Sequence, residues 1–160
     1  MRSNLSLVWV AADRPVNHSR NAKRARKSGN GHYTTHSTIL VVEDELLIRL
    51  AISDYLRDCG YRVFEAANAN DAQQILRADE PVEVLFSDID LGPGMNGFAL
   101  ARWVRQEYPA VRIVLTSGVV RSAEDAAELC DGPFVSKPYS YEMLADQIKQ
   151  MLARFQRSQG

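Results

Sequence analysis

With 160 residues, 46% of them hydrophobic and 24% charged, the chain has the size and composition of one soluble domain that can bury a core. The formal charge of −1 conceals a division: residues 1–38 carry seven Lys/Arg against the single acid Asp13, a balance of +6, which leaves −7 for residues 39–160. Cys59 and Cys130 are the only cysteines and have no metal-ligand spacing, which excludes a disulfide-dense framework and a cysteine zinc site and predicts a reduced, cytoplasmic setting.

In chain order, the apolar run Leu5 to Ala12 is too short to span a bilayer, although with Arg2 before it and Val10-Ala11-Ala12 at its end it faintly resembles a short secretion signal. Asn17 to Ser37 has no hydrophobic period, so residues 1–37 are expected to be a basic, disordered extension. A solvated tail, or a start codon assigned too far upstream, is favoured over a nucleic-acid-binding arm.

Thr38 to Val42 is a short β-branched run that stops at Glu43-Asp44-Glu45. Leu46, Leu47, Leu50, Ala51, Tyr55 and Leu56 then recur at helical spacing, and Gly60 ends that helix. Arg62 to Ala66 reads as a second strand. Asn68 or Asn70 can cap a helix carrying Ala72, Ile75 and Leu76 that ends before Pro81. Val82 to Ser87 reads as a strand buried on both faces, ending at Asp88-Ile89-Asp90 and a Gly-Pro-Gly turn. Phe98, Leu100, Ala101 and Val104 mark a helix to about Glu107. Val111 to Leu115 forms a fourth strand before Thr116-Ser117-Gly118, and a short polar helix follows, roughly Ser122 to Cys130. Phe134 to Ser136 is a brief fifth strand before Lys137-Pro138, and the last helix runs from Tyr141 to about Phe155 with Leu144, Ile148, Met151 and Leu152 along one face. Strand and helix alternate five times, which predicts an α/β fold with a parallel sheet and helices on both faces.

Ligands of such sheets bind beyond the carboxyl ends of the strands. Those ends supply Glu43 and Asp44, Asp88, Thr116 and Lys137. Carboxylates brought together repel unless a cation lies between them, and Mg²⁺ suits an all-oxygen site completed by water and a phosphate oxygen. A hydroxyl and an ammonium across from them are what a developing phosphoryl charge requires, and Asp88 is then a candidate nucleophile. Each residue has a plain alternative, as helix cap, turn residue or solvated lysine; their coincidence at matching strand ends sets those alternatives aside.

The set Val41-Val42-Glu43-Asp44-Glu45, Ser87-Asp88, Leu115-Thr116-Ser117 and Val135-Ser136-Lys137-Pro138, in this order and spacing, resembles the receiver domain of two-component response regulators over residues 38–156, leaving 157–160 as a C-terminal tail. The resemblance implies a flavodoxin-like, doubly wound five-stranded parallel sheet with strand order 2-1-3-4-5. It implies that Asp88 is the phosphoacceptor, that Glu43, Asp44, Asp88 and the backbone carbonyl of Asp90 hold Mg²⁺, and that Thr116 and Lys137 grip the phosphoryl group. It also makes Thr116 and Phe134 the switch pair. The implied partners are a sensor histidine kinase or a histidine phosphotransfer protein and a downstream protein target, with a homodimer through the fourth helix, fifth strand and fifth helix as a further expectation. The implied protein is a phosphoacceptor that assists its own phosphorylation and dephosphorylation, not a turnover enzyme. Too few residues follow Phe155 for a DNA-binding output domain, so a stand-alone cytoplasmic receiver without DNA or membrane contact is expected.

Two departures from the family pattern stand out. Glu43 replaces the commoner aspartate, and the loop Leu91 to Asn96 is one residue longer than usual. Two other functions compete with the receiver reading. A pseudo-receiver that binds partners without phosphorylation is opposed by the intact set of site residues. An aspartate-nucleophile phosphatase, suggested by Asp88-Ile89-Asp90, is opposed by the position of that pair on the third strand.

Overall fold

The computed structural model describes residues 37–118, 128–132 and 134–158. The expected basic extension lies outside these residues, apart from Ser37, as does most of the helix expected over Ser122 to Cys130 and with it that helix's part of the face expected for a homodimer. Five strands alternate with helices: β1 (Thr38–Val42), α1 (Leu46–Asp58), β2 (Arg62–Ala66), α2 (Ala69–Arg77), β3 (Val84–Asp88), α3 (Gly97–Glu107), β4 (Arg112–Ser117), β5 (Val135–Ser136) and a C-terminal helix (Tyr141–Ser158). All pairings are parallel and the order is β2-β1-β3-β4-β5. This is the doubly wound, flavodoxin-like arrangement expected from the sequence.

The alternation of side chains along each strand divides the core in two. Leu40, Val42, Leu85, Ile113 and Leu115 face α2 and α3, where Ala72, Leu76, Leu100, Ala101 and Val104 cover them. Ile39, Val41, Val84, Phe86, Val114 and Val135 face the other way, against Ile52 and Leu56 of α1 and Leu144, Ile148 and Met151 of the C-terminal helix. The central strands β1 and β3 are buried at every residue, which is why they read as continuous apolar runs rather than as alternating ones. Each fully buried aliphatic or aromatic side chain contributes about 1.5–3 kcal/mol.

Helix ends follow local chemistry. Asn68 accepts a hydrogen bond from the Asp71 amide at 2.9 Å and caps α2; Asn96 accepts from the Ala99 amide at 2.9 Å and caps α3. At the end of α1, Gly60 takes φ 94° and its amide donates to the Arg57 carbonyl, the stop expected from its position. Helix α2 ends at Arg77, short of Pro81, because Asp79 takes φ 61° and turns the chain out of the helix.

Several boundaries differ from the sequence reading. β3 starts two residues later than expected, at Val84, and includes Asp88; β4 extends through Ser117. Both shifts carry the ladder further toward the carboxyl edge, since Asp88 pairs with Thr116 and Ser117 pairs with Ser136. The last helix runs three residues past Phe155. Of the leucines that mark α1, Leu46, Leu47 and Leu50 face outward, and the buried positions are Ile52, Ser53 and Leu56.

Candidate functional site

Glu43 and Asp44 follow β1 directly, Asp88 is the last residue of β3, Thr116 is opposite Asp88 in β4, and Lys137 follows β5. The order of the sheet places β1, β3, β4 and β5 side by side, so these side chains leave adjacent strands along one edge. Carboxylate oxygens of Glu43, Asp44 and Asp88 lie within 4.8 Å of one another. Glu43 and Asp88 are buried, at 1% and 5% exposure, while Asp44 is exposed.

The Lys137 ammonium lies across this cluster. It donates to Glu43 Oε2 at 3.1 Å and makes a short contact with Asp88 Oδ2. Its backbone amide donates to the Ser117 carbonyl at 3.0 Å, so the β4–β5 pairing fixes where the side chain starts. Burial alone would push the Lys137 ammonium down, but its hydrogen bonds to Asp88 and Glu43 more than offset that and hold it above the ordinary lysine range. Glu43 also moves up: burial raises it most, and the neighbouring Asp88 adds to this, against a lowering hydrogen bond from Lys137. One ammonium shared by two buried carboxylates keeps its own proton tightly without fully compensating the burial of Glu43.

Asp90 offers its backbone amide, which donates to Asp88 Oδ1 at 3.1 Å, and its own side chain is exposed and outside the carboxylate cluster. Thr116 is fully buried and its hydroxyl oxygen has no hydrogen-bond partner. Phe134 is half-buried and packs with Leu129 and Cys130 against the α2–α3 side of the core. Beside Asp44, a groove of about 580 Å³ opens between the loops that follow β2 and β3.

Three contributors were not among the site residues read from the sequence. Arg49, one turn into α1, donates to the Glu43 carbonyl at 2.6 Å and to the Asp44 carbonyl at 3.4 Å, and its guanidinium lies 3.7 Å from Glu65. It clamps the acidic turn to its own helix; the signal was a cation five and six residues beyond the two acids. Gly97 packs on the carboxyl end of β3: a Cβ there would overlap the Asp88 carbonyl oxygen and lie 2.8 Å from Ile89 Cα. Tyr139 is half-buried against the α1 side of the core, with its hydroxyl oxygen wholly buried.

Three acidic oxygens beside one ammonium and one unpaired hydroxyl are a donor set suited to a hard divalent cation and an oxyanion. The comparisons with known proteins give the family. The family model described as "Response regulator receiver domain" matches residues 39–149. The chain is 32% identical over 121 residues to the sensor kinase CckA of Brucella abortus, covering 74% of this chain and 13% of that protein. It is 30% identical over 125 residues to the aerobic respiration control protein ArcA of Escherichia coli K12, covering 72% of this chain and 48% of that one. It therefore spans less than half the length of either relative. Among solved structures, a CheY-like response regulator receiver domain from Methanospirillum hungatei superposes with a TM-score of 0.71 over 79% of this chain and all of that one, at 24% identity, a likeness of fold. No helix among the described residues is long and apolar enough to cross a membrane. With the family model matched over more than half its length, and the family's strand order and strand-end acids in place, the chain belongs to the receiver domains of two-component response regulators.

Proposed function

We propose that the chain is a phosphorylation-dependent signalling switch in which Asp88 accepts a phosphoryl group from the phosphohistidine of a sensor histidine kinase or a histidine phosphotransfer protein. The observation that carries this reading is the convergence of Glu43, Asp44 and Asp88 under a shared Lys137 ammonium, with the unpaired Thr116 hydroxyl on the adjoining strand. In the transfer, an Asp88 carboxylate oxygen forms a bond to phosphorus as the phosphorus–nitrogen bond breaks, and the imidazole leaves with that electron pair. Lys137 releases Asp88 as the carboxylate becomes an acyl phosphate and pairs instead with a phosphoryl oxygen, while Thr116 donates to another.

Glu43, Asp44, Asp88 and the backbone carbonyl of Asp90 are the residues that would hold Mg²⁺, which when bound neutralises phosphoryl charge. The fit rests on the oxygen-only donor set and on the incomplete compensation that Lys137 gives Glu43. The phosphorylated chain then acts through a changed protein contact, with Thr116 and Phe134 as the pair that carries the change.

The test is labelling with acetyl phosphate. Label should accumulate with Mg²⁺ and be lost in excess EDTA. Equal labelling in both conditions would contradict the metal assignment.

A further inference from the structure

Two hydroxyl oxygens beside the acidic cluster are buried and have no hydrogen-bond partner, Thr116 Oγ1 and Tyr139 Oη. Leaving a buried polar group unpaired is unfavourable, and such groups are uncommon enough that each calls for a physical reason. A phosphoryl oxygen answers for Thr116 in the reaction proposed above. Nothing in that reaction answers for Tyr139.

The Tyr139 ring is held by its neighbours. It meets Phe86 edge-on, with centroids 6.1 Å apart and planes at 81°, and Tyr141 at 6.4 Å and 65°. Glu43, Asp88 and the Thr116 hydroxyl are near enough to the phenol to act on its ionisation. Burial first, then the Glu43 charge, keeps the phenol far above its ordinary range, so the oxygen carries its proton throughout the physiological range and can serve as a donor. The neighbouring Thr116 oxygen has one proton to give and two lone pairs that can accept. In the unphosphorylated chain the two hydroxyls are close enough for Thr116 to act on the phenol as a hydrogen-bonding neighbour, although neither oxygen meets the geometry of a completed hydrogen bond.

We propose that Tyr139 is a positioning residue for phosphoryl transfer: its hydroxyl donates to Thr116 Oγ1 and thereby directs the threonine's own proton at the phosphoryl group on Asp88. The inference rests on the reading of Asp88 as phosphoacceptor. Both protons stay on their own oxygens, and no bond other than those of the transfer forms or breaks. A free threonine hydroxyl can rotate so that its proton faces the phenol, and in that orientation it gives nothing to the developing charge. A donor behind it removes that orientation, and a dipole already aimed needs no reorganisation when the charge develops. The arrangement also gives the site a direct line to the start of the C-terminal helix, because the same ring packs on Tyr141.

A double-mutant cycle on the full chain tests this, reading the initial rate of Asp88 labelling by acetyl phosphate in saturating Mg²⁺. Tyr139→Phe keeps the ring and its packing and should slow labelling about 3- to 10-fold, the worth of one neutral hydrogen bond. Thr116→Ser keeps the hydroxyl, so Tyr139→Phe should cost the same factor in that background. In the Thr116→Ala background Tyr139→Phe should cost nothing further. An unchanged rate for Tyr139→Phe alone, or an equal loss with and without the Thr116 hydroxyl, would overturn the inference. A measurement on the unsubstituted tyrosine stands beside the cycle: in a chain carrying tyrosine labelled with ¹³C at Cζ, the Tyr139 resonance should shift on phosphorylation, and should stay in place when Thr116→Ala is phosphorylated. No shift in the unsubstituted chain overturns it as well. A wild-type chain that takes no label overturns the Asp88 reading and this inference together, whereas normal wild-type labelling with an additive cycle removes this inference alone.

Discussion

The Glu43 carboxylate is buried beside a second carboxylate, Asp88, and shares the Lys137 ammonium with it. Burial outweighs the pairing, so its folded-state pKa lies above the ordinary value of 4.5. Folding thus favours the protonated acid. Below pH 4.5 both folded and unfolded chains carry the proton and Glu43 costs nothing; as pH rises through its folded-state pKa, the ionised form opposes folding. Glu43→Gln should therefore melt higher than wild type near neutral pH in EDTA. The advantage should shrink as pH falls toward 4.5. Thermal melts of both chains across pH decide it, and a variant that melts lower at pH 7 would show that pairing with Lys137 dominates. At this scale the acids, the threonine and the lysine were legible because strand ends and residue type alone identify them. Arg49 and Tyr139 were not: a lone arginine on a helix and a tyrosine after Lys137-Pro138 acquire meaning only when the folded chain places their polar ends beside the acidic turn and Thr116.

At the scale of elements, the α3 start is tied to the site. The Gly97 amide donates to the Ile89 carbonyl at 2.9 Å, and the residue lies against the Asp88 carbonyl with no room for a side chain. Gly97→Ala must push α3 away from the end of β3, at a cost of about 1–3 kcal/mol for inserting one methyl into a tight contact. Its labelling by acetyl phosphate should slow as Asp88 shifts. Urea unfolding of the variant checks the first expectation, and an unchanged midpoint would show that the loop before α3 gives way freely. The other end of the neighbouring helix offers the opposite change. Asp79 is exposed and holds φ 61°, a left-handed conformation that suits glycine and strains other residues by about 1 kcal/mol. Asp79→Gly should raise the urea midpoint, by a few tenths up to about 1 kcal/mol, since the greater freedom of glycine in the unfolded chain offsets part of the relief; a lowered midpoint would refute the strain. Among the described residues, helices and strands were legible from periodicity, caps and Gly60. Less legible was which apolar residues of α1 face the core. Leu46, Leu47 and Leu50 are exposed because the turn through Glu43 and Asp44 holds the first part of the helix at the rim of the sheet.

For the whole molecule, the sheet order is what turns scattered residues into a site. With β3 flanked by β1 and β4, Asp88 has the acids of one strand end on one side and the Thr116 hydroxyl on the other, and β5 brings Lys137 across. The alternation of strand and helix made the parallel α/β class legible from the residues, whereas the order itself was implied by the resemblance to receiver domains. A site assembled this way acts on the rest of the protein only by biasing an element with two arrangements; in the proposed reaction the bias is a phosphoryl group of roughly −1.5 to −2 charges in place of the single carboxylate charge, with new acceptor oxygens. The account therefore stands on one atom position, the bond between phosphorus and an Asp88 oxygen. The most direct measurement is to phosphorylate the chain with acetyl phosphate and Mg²⁺, reduce the acyl phosphate with borohydride, and map the modified residue by peptide mass spectrometry. The account predicts conversion at Asp88 alone and none in Asp88→Asn; reduction at another residue, or unchanged labelling of Asp88→Asn, would contradict it.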